Sequence, residues 1–521
     1  MSESIVSRIE ICYDEQQGMT RDIIYQDGKE NEMLNENDTV QDIKNEVLYN
    51  VAKAAFEDKL DQIEATLPYE ILPGSKPSFR CCVYKEREIV RERIMLAKNI
   101  NPADGEPCRN TVKIIPAACE NCPITRFTVT DNCQKCIGKK CMQACKFGAI
   151  TMTRTKAYIN PEKCKECGQC YEACSYHAIV DIMRPCRRAC PVDAIQVGED
   201  GRVSIDDEKC IRCGACISSC PFGAISDSSR IIEVIDYLKG DRPVYALVAP
   251  AAEGQFGVDI TMESIRKGIK KLGFTDMVDV AIGADFVSDS EAREWAEAYN
   301  EGKKMTTSCC PAFVHMIRRH FPELSEHVST TVSPMAATAR LVKAMHPDAV
   351  CIFVGPCIAK KSEAGQDQEH PGDNAELALT FEELNAMFRA KSVKLEPSVF
   401  EEQNGSIYAK RYSNSGGVTK AVKQALTEQG VNAGVNVRQC NGAEECRKAL
   451  FLLKAGKLPE DFIEGMACEG GCVAGPGNIQ EEKAFKRERD KQLKAADERK
   501  ISDTLSDYSQ YEFSMHRRKE G

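Results

Sequence analysis

Cysteine spacing is where chemistry first shows in this chain. Cys164, Cys167, Cys170 and Cys174 form C-x2-C-x2-C-x3-C. Positions i, i+3 and i+6 of one tight loop set three thiolates around a single iron–sulfur cube, while the fourth cysteine serves the other cube of a pseudo-symmetric pair. The partner half lies just upstream, in Cys133, Cys136, Cys141 and Cys145. One [4Fe–4S] cluster therefore falls to Cys133, Cys136, Cys141 and Cys174, and a second to Cys145, Cys164, Cys167 and Cys170. The strings KFGAI and SYHAI after the fourth cysteines mark two copies of one unit. Zinc takes four ligands per site and leaves this eight-cysteine symmetry without a reason.

A second repeat follows. Cys210, Cys213, Cys216 and Cys220 complete the same spacing ahead of PFGAI, and Cys186 and Cys190 are the tail of a half that lacks its first two cysteines. Cys190 completes a third cube with Cys210, Cys213 and Cys216. Cys119 and Cys122, an otherwise unexplained C-x2-C, supply the two partners that Cys186 and Cys220 need for a fourth. Such a string lets single electrons pass between a surface partner and a buried centre; it does not define a reaction. Cys81, Cys82 and Cys108 lack metal-type spacing and read as structural or free thiols, and Cys351, Cys440 and Cys446 receive no assignment.

Three more cysteine motifs stand far apart. TTSCCPAFV, residues 306–314, places Cys309 and Cys310 before Pro311, a residue suited to a first helical turn, and a helix N-terminus favours thiolate. FVGPCIAKKSE, residues 353–363, sets Cys357 at the carboxyl end of an apolar strand, where open α/β sheets bind ligands. EGMACEGGCVAGPG, residues 464–477, carries Cys468 and Cys472 among five glycines, which let backbone approach a bulky cofactor. Taken singly, each motif reads equally well as buried thiols or a turn.

Together and in this order, the three motifs resemble the signatures of the [FeFe]-hydrogenase catalytic domain, in a divergent subgroup whose first motif reads TSCCPAF. With the cysteine repeats, the resemblance spans roughly residues 125–480. It implies a [4Fe–4S] cube held by Cys310, Cys357, Cys468 and Cys472, with Cys472 bridging to a diiron unit that bears CO, cyanide and an azadithiolate. Cys309 matches the family's free thiol beside the open iron, where a thiol can both give and take a proton. Lys360 matches the lysine that hydrogen-bonds a cyanide, Met466 lines the pocket, and Ala249 and Pro250 join the cofactor-binding set. Glu291 and Glu294, three apart on one helix face, match the family's proton path together with Ser329, and Glu363 falls near its outer end. The sequence also departs from the family: Gly355 replaces a methionine, Ala251 a cyanide-bonding serine and Phe313 a tryptophan. Losing a donor and a packing group should alter the diiron electronics and the pocket volume.

The elements that must position these residues follow from periodicity. Apolar runs at 243–249, 277–282 and 349–354 alternate with helical stretches at 259–272 and 334–345, which predicts an α/β domain with mainly parallel strands. The sequence divides into a mainly helical extension at 1–115, two tandem ferredoxin-like domains at 116–228, the catalytic domain at 229–480, and a charged helix with an exposed tail at 481–521. The fold class is thus α+β multidomain. In the extension, helical spacing runs from Val40 through Val47 and Val51 to Leu60 and Ile63, with Asn37 or Asp38 as N-cap.

Composition bounds the rest. A formal net charge of -10 repels nucleic acid and anionic membrane surfaces. No apolar run of membrane-spanning length occurs. The N-terminus MSESIVSRIEICYDEQ has no export pattern, which predicts a cytoplasmic protein. In a chain of that kind, 28 cysteines bunched at short spacings point to metal rather than disulfides. The resemblance implies reversible 2 H+ + 2 e− ⇌ H2, with ferredoxin or a similar small carrier as electron partner and dedicated maturation proteins supplying the diiron unit. Two rivals stand beside it: a hydrogen sensor of low turnover, and an iron–sulfur carrier or assembly homologue without the diiron unit.

Overall fold

Runs of β-branched and aliphatic residues with no polar alternation make strands buried on both faces, and such strands build the centre of the protein. The computed structural model describes residues 39–517 apart from 121, 123–124, 365–373, 399–403, 432–435, 481 and 497. Val350–Val354 is buried throughout and pairs in parallel with Val244–Val248 on one side and Leu377–Leu379 on the other; Asp276–Asp279 closes the far edge of this four-stranded sheet. A second parallel sheet places the fully buried Phe462–Met466 between Met305–Thr306 and Val437–Asn441. Helices Met262–Leu272, Ala281–Asn300, Pro311–His320 and Pro334–Met345 connect and cover them. The apolar run at 277–282 stops being a strand at Asp279, because Asp279 Oδ1 accepts from Ala281 N–H at 2.8 Å and starts the long Ala281–Asn300 helix.

The ferredoxin-like part is made of short antiparallel pairs. Ile150–Met152 pairs with Ala157–Ile159, Ile195–Val197 with Val203–Ile205, Phe127–Val129 with Ile179–Asp181, and Val112–Ile114 with Ile225–Asp227. Four five-residue helices stand between them, and the C-cap of each is the fourth cysteine of a repeat: Cys145, Cys174, Cys190 and Cys220.

The N-terminal helices begin later and break sooner than the spacing suggests. Thr39 rather than Asp38 caps Val40–Phe56, in a reciprocal capping box with Asp42. The helix ends at Phe56, Asp58 turns to a positive φ, and Ile63 opens a second helix, Ile63–Ile71. Residues 1–38 of the extension lie outside the described residues. What is described of it is sewn into the catalytic domain: Lys44 Nζ reaches Asp227 at 2.8 Å and Glu382 at 2.6 Å, while Lys361 Nζ reaches the same Asp227 at 2.6 Å and Glu383 at 2.8 Å. Among the described residues, no helix is long and apolar enough to cross a membrane.

Candidate functional site

The sixteen cysteines of the repeats gather in fours. Cys141 faces Cys174, Cys136 and Cys133. Cys145, Cys164, Cys167 and Cys170 line a cavity of about 300 Å³. Cys210, Cys213 and Cys216 face one another and Cys190. Cys186, whose thiol burial pushes up to about 11, faces Cys220, Cys122 and Cys119. The structure thus brings together the two halves of each proposed set, including the pair 119 and 122 recruited from outside the repeat. Among the described residues no three His, Cys, Asp or Glu side chains sit close enough to share a single metal ion, as tetrahedral zinc needs.

One detail repeats at every fourth cysteine. The amides of Ala149, Ala178, Ala194 and Ala224 donate to the sulfurs of Cys145, Cys174, Cys190 and Cys220, each at 3.3 Å. The strings KFGAI, SYHAI, VDAI and PFGAI therefore share an alanine because its amide stabilises the thiolate four residues back.

The catalytic motifs converge at the carboxyl ends of the parallel strands. Cys310 is the N-cap of Pro311–His320 just after Met305–Thr306; Cys357 is the N-cap of Ile358–Glu363 just after Val350–Val354; Cys468 and Cys472 follow Phe462–Met466. These four thiols line a cavity of about 360 Å³ together with Met466, Ala312, Ala359 and Gly475. Glycine is needed at 475, where an added Cβ would stand 2.5 Å from the Pro356 carbonyl oxygen. Burial and then mutual repulsion push the Cys357 thiol up to about 11, and drive Cys468 and Cys472 well up. Left alone, the set holds protons; cationic iron is what makes buried thiols of this kind thiolates. Four sulfurs around an enclosed space fit a [4Fe–4S] cube. Ala249 and Pro250 close the carboxyl end of Val244–Val248 and lie outside the residues that line the cavity.

Cys213 of the third set faces Cys310 and Cys468, and Cys216 faces Cys186 of the fourth. The contact between the two parts is tight. Gly214, at φ 80°, would carry a Cβ 2.6 Å from Pro476 Cγ and 3.1 Å from Ile358 Cγ1.

Beside Cys310, the buried Cys309 thiol faces Glu291, Cys472 and Lys360, and burial drives its proton affinity well up. Glu291 Oε1 accepts from Ser308 N–H at 3.2 Å, and Oε2 is buried without a hydrogen-bond partner among the described residues. Burial pushes this carboxyl up to about 8, with Glu294 adding to the rise and a hydrogen bond from Ser329 opposing it. Ser329 Oγ donates to Glu294 Oε2 at 2.6 Å. Glu294, Ser329, Glu291 and Cys309 therefore form one run from the molecule's rim to the cavity. Glu363 is elsewhere: it holds Lys360 Nζ at 2.5 Å on the far side of Cys309 and makes no hydrogen bond to the run.

The three departures each have a structural setting. A Cβ at Gly355 would lie 2.6 Å from the Phe353 ring, so Phe353 occupies the room that a side chain at 355 would take. The Phe313 ring lies 2.2 Å from a Cβ built on Gly465, packed flat on that backbone. Ala251 is fully buried and offers a methyl group in place of a donor. Sequence reading missed three neighbours of the run. The Tyr412 phenol lies against Cys309 and Glu291, and burial raises its proton affinity. The Arg517 guanidinium donates to the Ser308 carbonyl at 2.9 Å and faces Glu363, Glu291 and Cys309. The His516 imidazole lies on Glu294. The 481–521 tail is therefore not merely exposed.

Fold and site together define a multi-cluster iron–sulfur protein with a buried four-thiol cavity joined to an acid run. Comparison with known proteins narrows this. Residues 242–476 match the family model of the iron only hydrogenase large subunit, C-terminal domain, and residues 157–180 and 203–226 match the 4Fe-4S binding domain. The chain belongs to the [FeFe]-hydrogenase family. Iron hydrogenase 1 of Clostridium pasteurianum is 29% identical over 371 residues, covering 61% of this chain and 64% of that protein. The nuclear prelamin A recognition factor of Homo sapiens is 22% identical over 44% of this chain and 62% of its own length, and the cytosolic iron-sulfur assembly component 3 of Bos taurus 23% over 42% and 57%. The chain thus spans less than two thirds of each of these relatives. A solved variant of [FeFe]-hydrogenase HydA1 from Chlamydomonas reinhardtii aligns with a TM-score of 0.42 at 20% identity, over 53% of this chain and 92% of that one.

Proposed function

We propose that the chain is an iron-only hydrogenase catalysing 2 H+ + 2 e− ⇌ H2. In this reading the accessory cubes relay electrons to and from ferredoxin or a similar small carrier, and maturation proteins install the diiron unit. The observation that carries it is the run Glu294–Ser329–Glu291–Cys309 ending beside the four thiols. An electron carrier has no use for a buried, protonated acid aimed at a free thiol. The diiron unit, when bound, supplies the metal at which protons and hydrogen interconvert. Cys310, Cys357, Cys468 and Cys472 would hold its cube, and Lys360 would offer an ammonium donor to an anionic ligand. Glu291, neutral near pH 7, holds the proton that Cys309 hands on.

Infrared spectroscopy of maturated protein, combined with turnover, tests this. Wild type should show CO and cyanide bands and hydrogen turnover. Cys309→Ala should keep the bands while turnover falls by about 10²–10⁴, the range that a positioned proton carrier contributes. Absence of the bands after maturation would favour the second reading, an iron–sulfur carrier or assembly protein, which gains support from relatives named for iron–sulfur assembly.

A further inference from the structure

The last described residues return to the outer end of the acid run. Val332 N–H donates to the Met515 carbonyl at 2.8 Å and Arg517 N–H to the Thr330 carbonyl at 2.8 Å, so the tail lies antiparallel along residues 330–332. Its register is anchored on both sides. Phe513 lies 5.1 Å from the Phe286 ring, centroid to centroid, and Met515 packs on the core that holds Cys309. From the helix beneath, Arg340 Nη1 grips the carbonyls of Ser514 at 2.6 Å and His516 at 3.0 Å. Strand alternation then turns His516 outward.

This places the imidazole where the run meets water. His516 Nδ1 stands 3.1 Å from Glu294 Oε1 and 2.8 Å from Thr330 Oγ1; the His516 side chain is 56% exposed and that of Glu294 16%. Glu294 is otherwise enclosed by Ser329, which donates to Oε2, and by the Thr330 amide and hydroxyl. The charged groups around His516 are Glu294, its neighbour Arg517 and Arg340.

We propose that His516 is the proton-input residue of this chain, a role that rests on the hydrogen reading above. Solvent protonates the imidazole, the imidazolium passes the Nδ1 proton to Glu294 Oε1, and the neutral ring takes its next proton from solvent. No electron moves and no bond other than N–H and O–H is made or broken. In hydrogen oxidation the same steps run in reverse. An imidazole suits this position because it alternates between charged and neutral forms near neutral pH in ordinary proteins.

The test uses maturated full-length chain. His516→Gln, which keeps a polar side chain on the strand, should lower turnover in dilute buffer by about tenfold, the modest loss expected where water still reaches Glu294. Added imidazole should restore the rate, which a merely structural lesion would not allow. Glu512→Gln, an exposed tail control, should leave the rate unchanged. Wild-type rates in His516→Gln, or a loss that imidazole leaves untouched, overturn the inference while the hydrogen reading stands. A second readout needs no diiron unit: the infrared carboxylate band lost in Glu294→Gln should shift in His516→Gln, and a band that stays in place removes the contact on which the inference depends. Wild type lacking CO and cyanide bands and turnover overturns the underlying reading instead.

Discussion

Burial separates Glu291 from Glu294, only one helical turn further along the same face. Glu291 rises to about 8 from an ordinary value near 4.5, so between those pH values the folded chain keeps a proton that the unfolded chain has released. Stability contributed by this group therefore falls as pH rises through that window and is lowest above it. Glu291→Gln has no proton to lose. Its urea midpoint should match wild type at about pH 4 and exceed it increasingly toward about pH 8; a difference that stays constant with pH would contradict the burial argument. The two glutamates and the four thiols were legible because each carries a local spacing. Tyr412, Arg517 and His516 were not, since long-range return of the chain brings them in. The only available signal for the last two was the apolar alternation of Phe513 and Met515, hidden in a charged tail.

At the level of elements, the sequence revealed which runs are strands and helices more readily than where they stop. Asp279 and Thr39 set the boundaries through hydrogen bonds that periodicity does not register. Joining of elements was less legible still. Nothing local announces that Lys44 from the first helix and Lys361, four residues after Cys357, meet on Asp227. Burial alone would raise that carboxyl; Lys361 and Lys44 overcome it and hold Asp227 well below the carboxylate range. Asp227→Asn leaves two buried ammonium groups short of charge. It should cost about 3–5 kcal/mol of stability, read as a lowered denaturant midpoint; a loss below about 1 kcal/mol would mean that Glu382 and Glu383 suffice.

Across the whole molecule, the sequence prescribed how cysteines share cubes because each cube draws from a fixed spacing plus one distant partner. The pair at 119 and 122 is the exception, placed by elimination and brought to Cys186 and Cys220 in the structure. Cys119→Ala should lower the iron content by one cube and leave the others; full iron in that variant would dissolve the fourth set. Where the third set meets the catalytic cavity, backbone at Gly214 abuts Pro476 and Ile358 with no room for a methyl group. A redox centre carried on a swinging arm conducts only during the moments of closure, and thickening the solvent slows it. Here the last donor and its acceptor are clamped in one rigid joint, so the final hop is set by fixed tunnelling distance and free energy, not by the tumbling of one lobe against another.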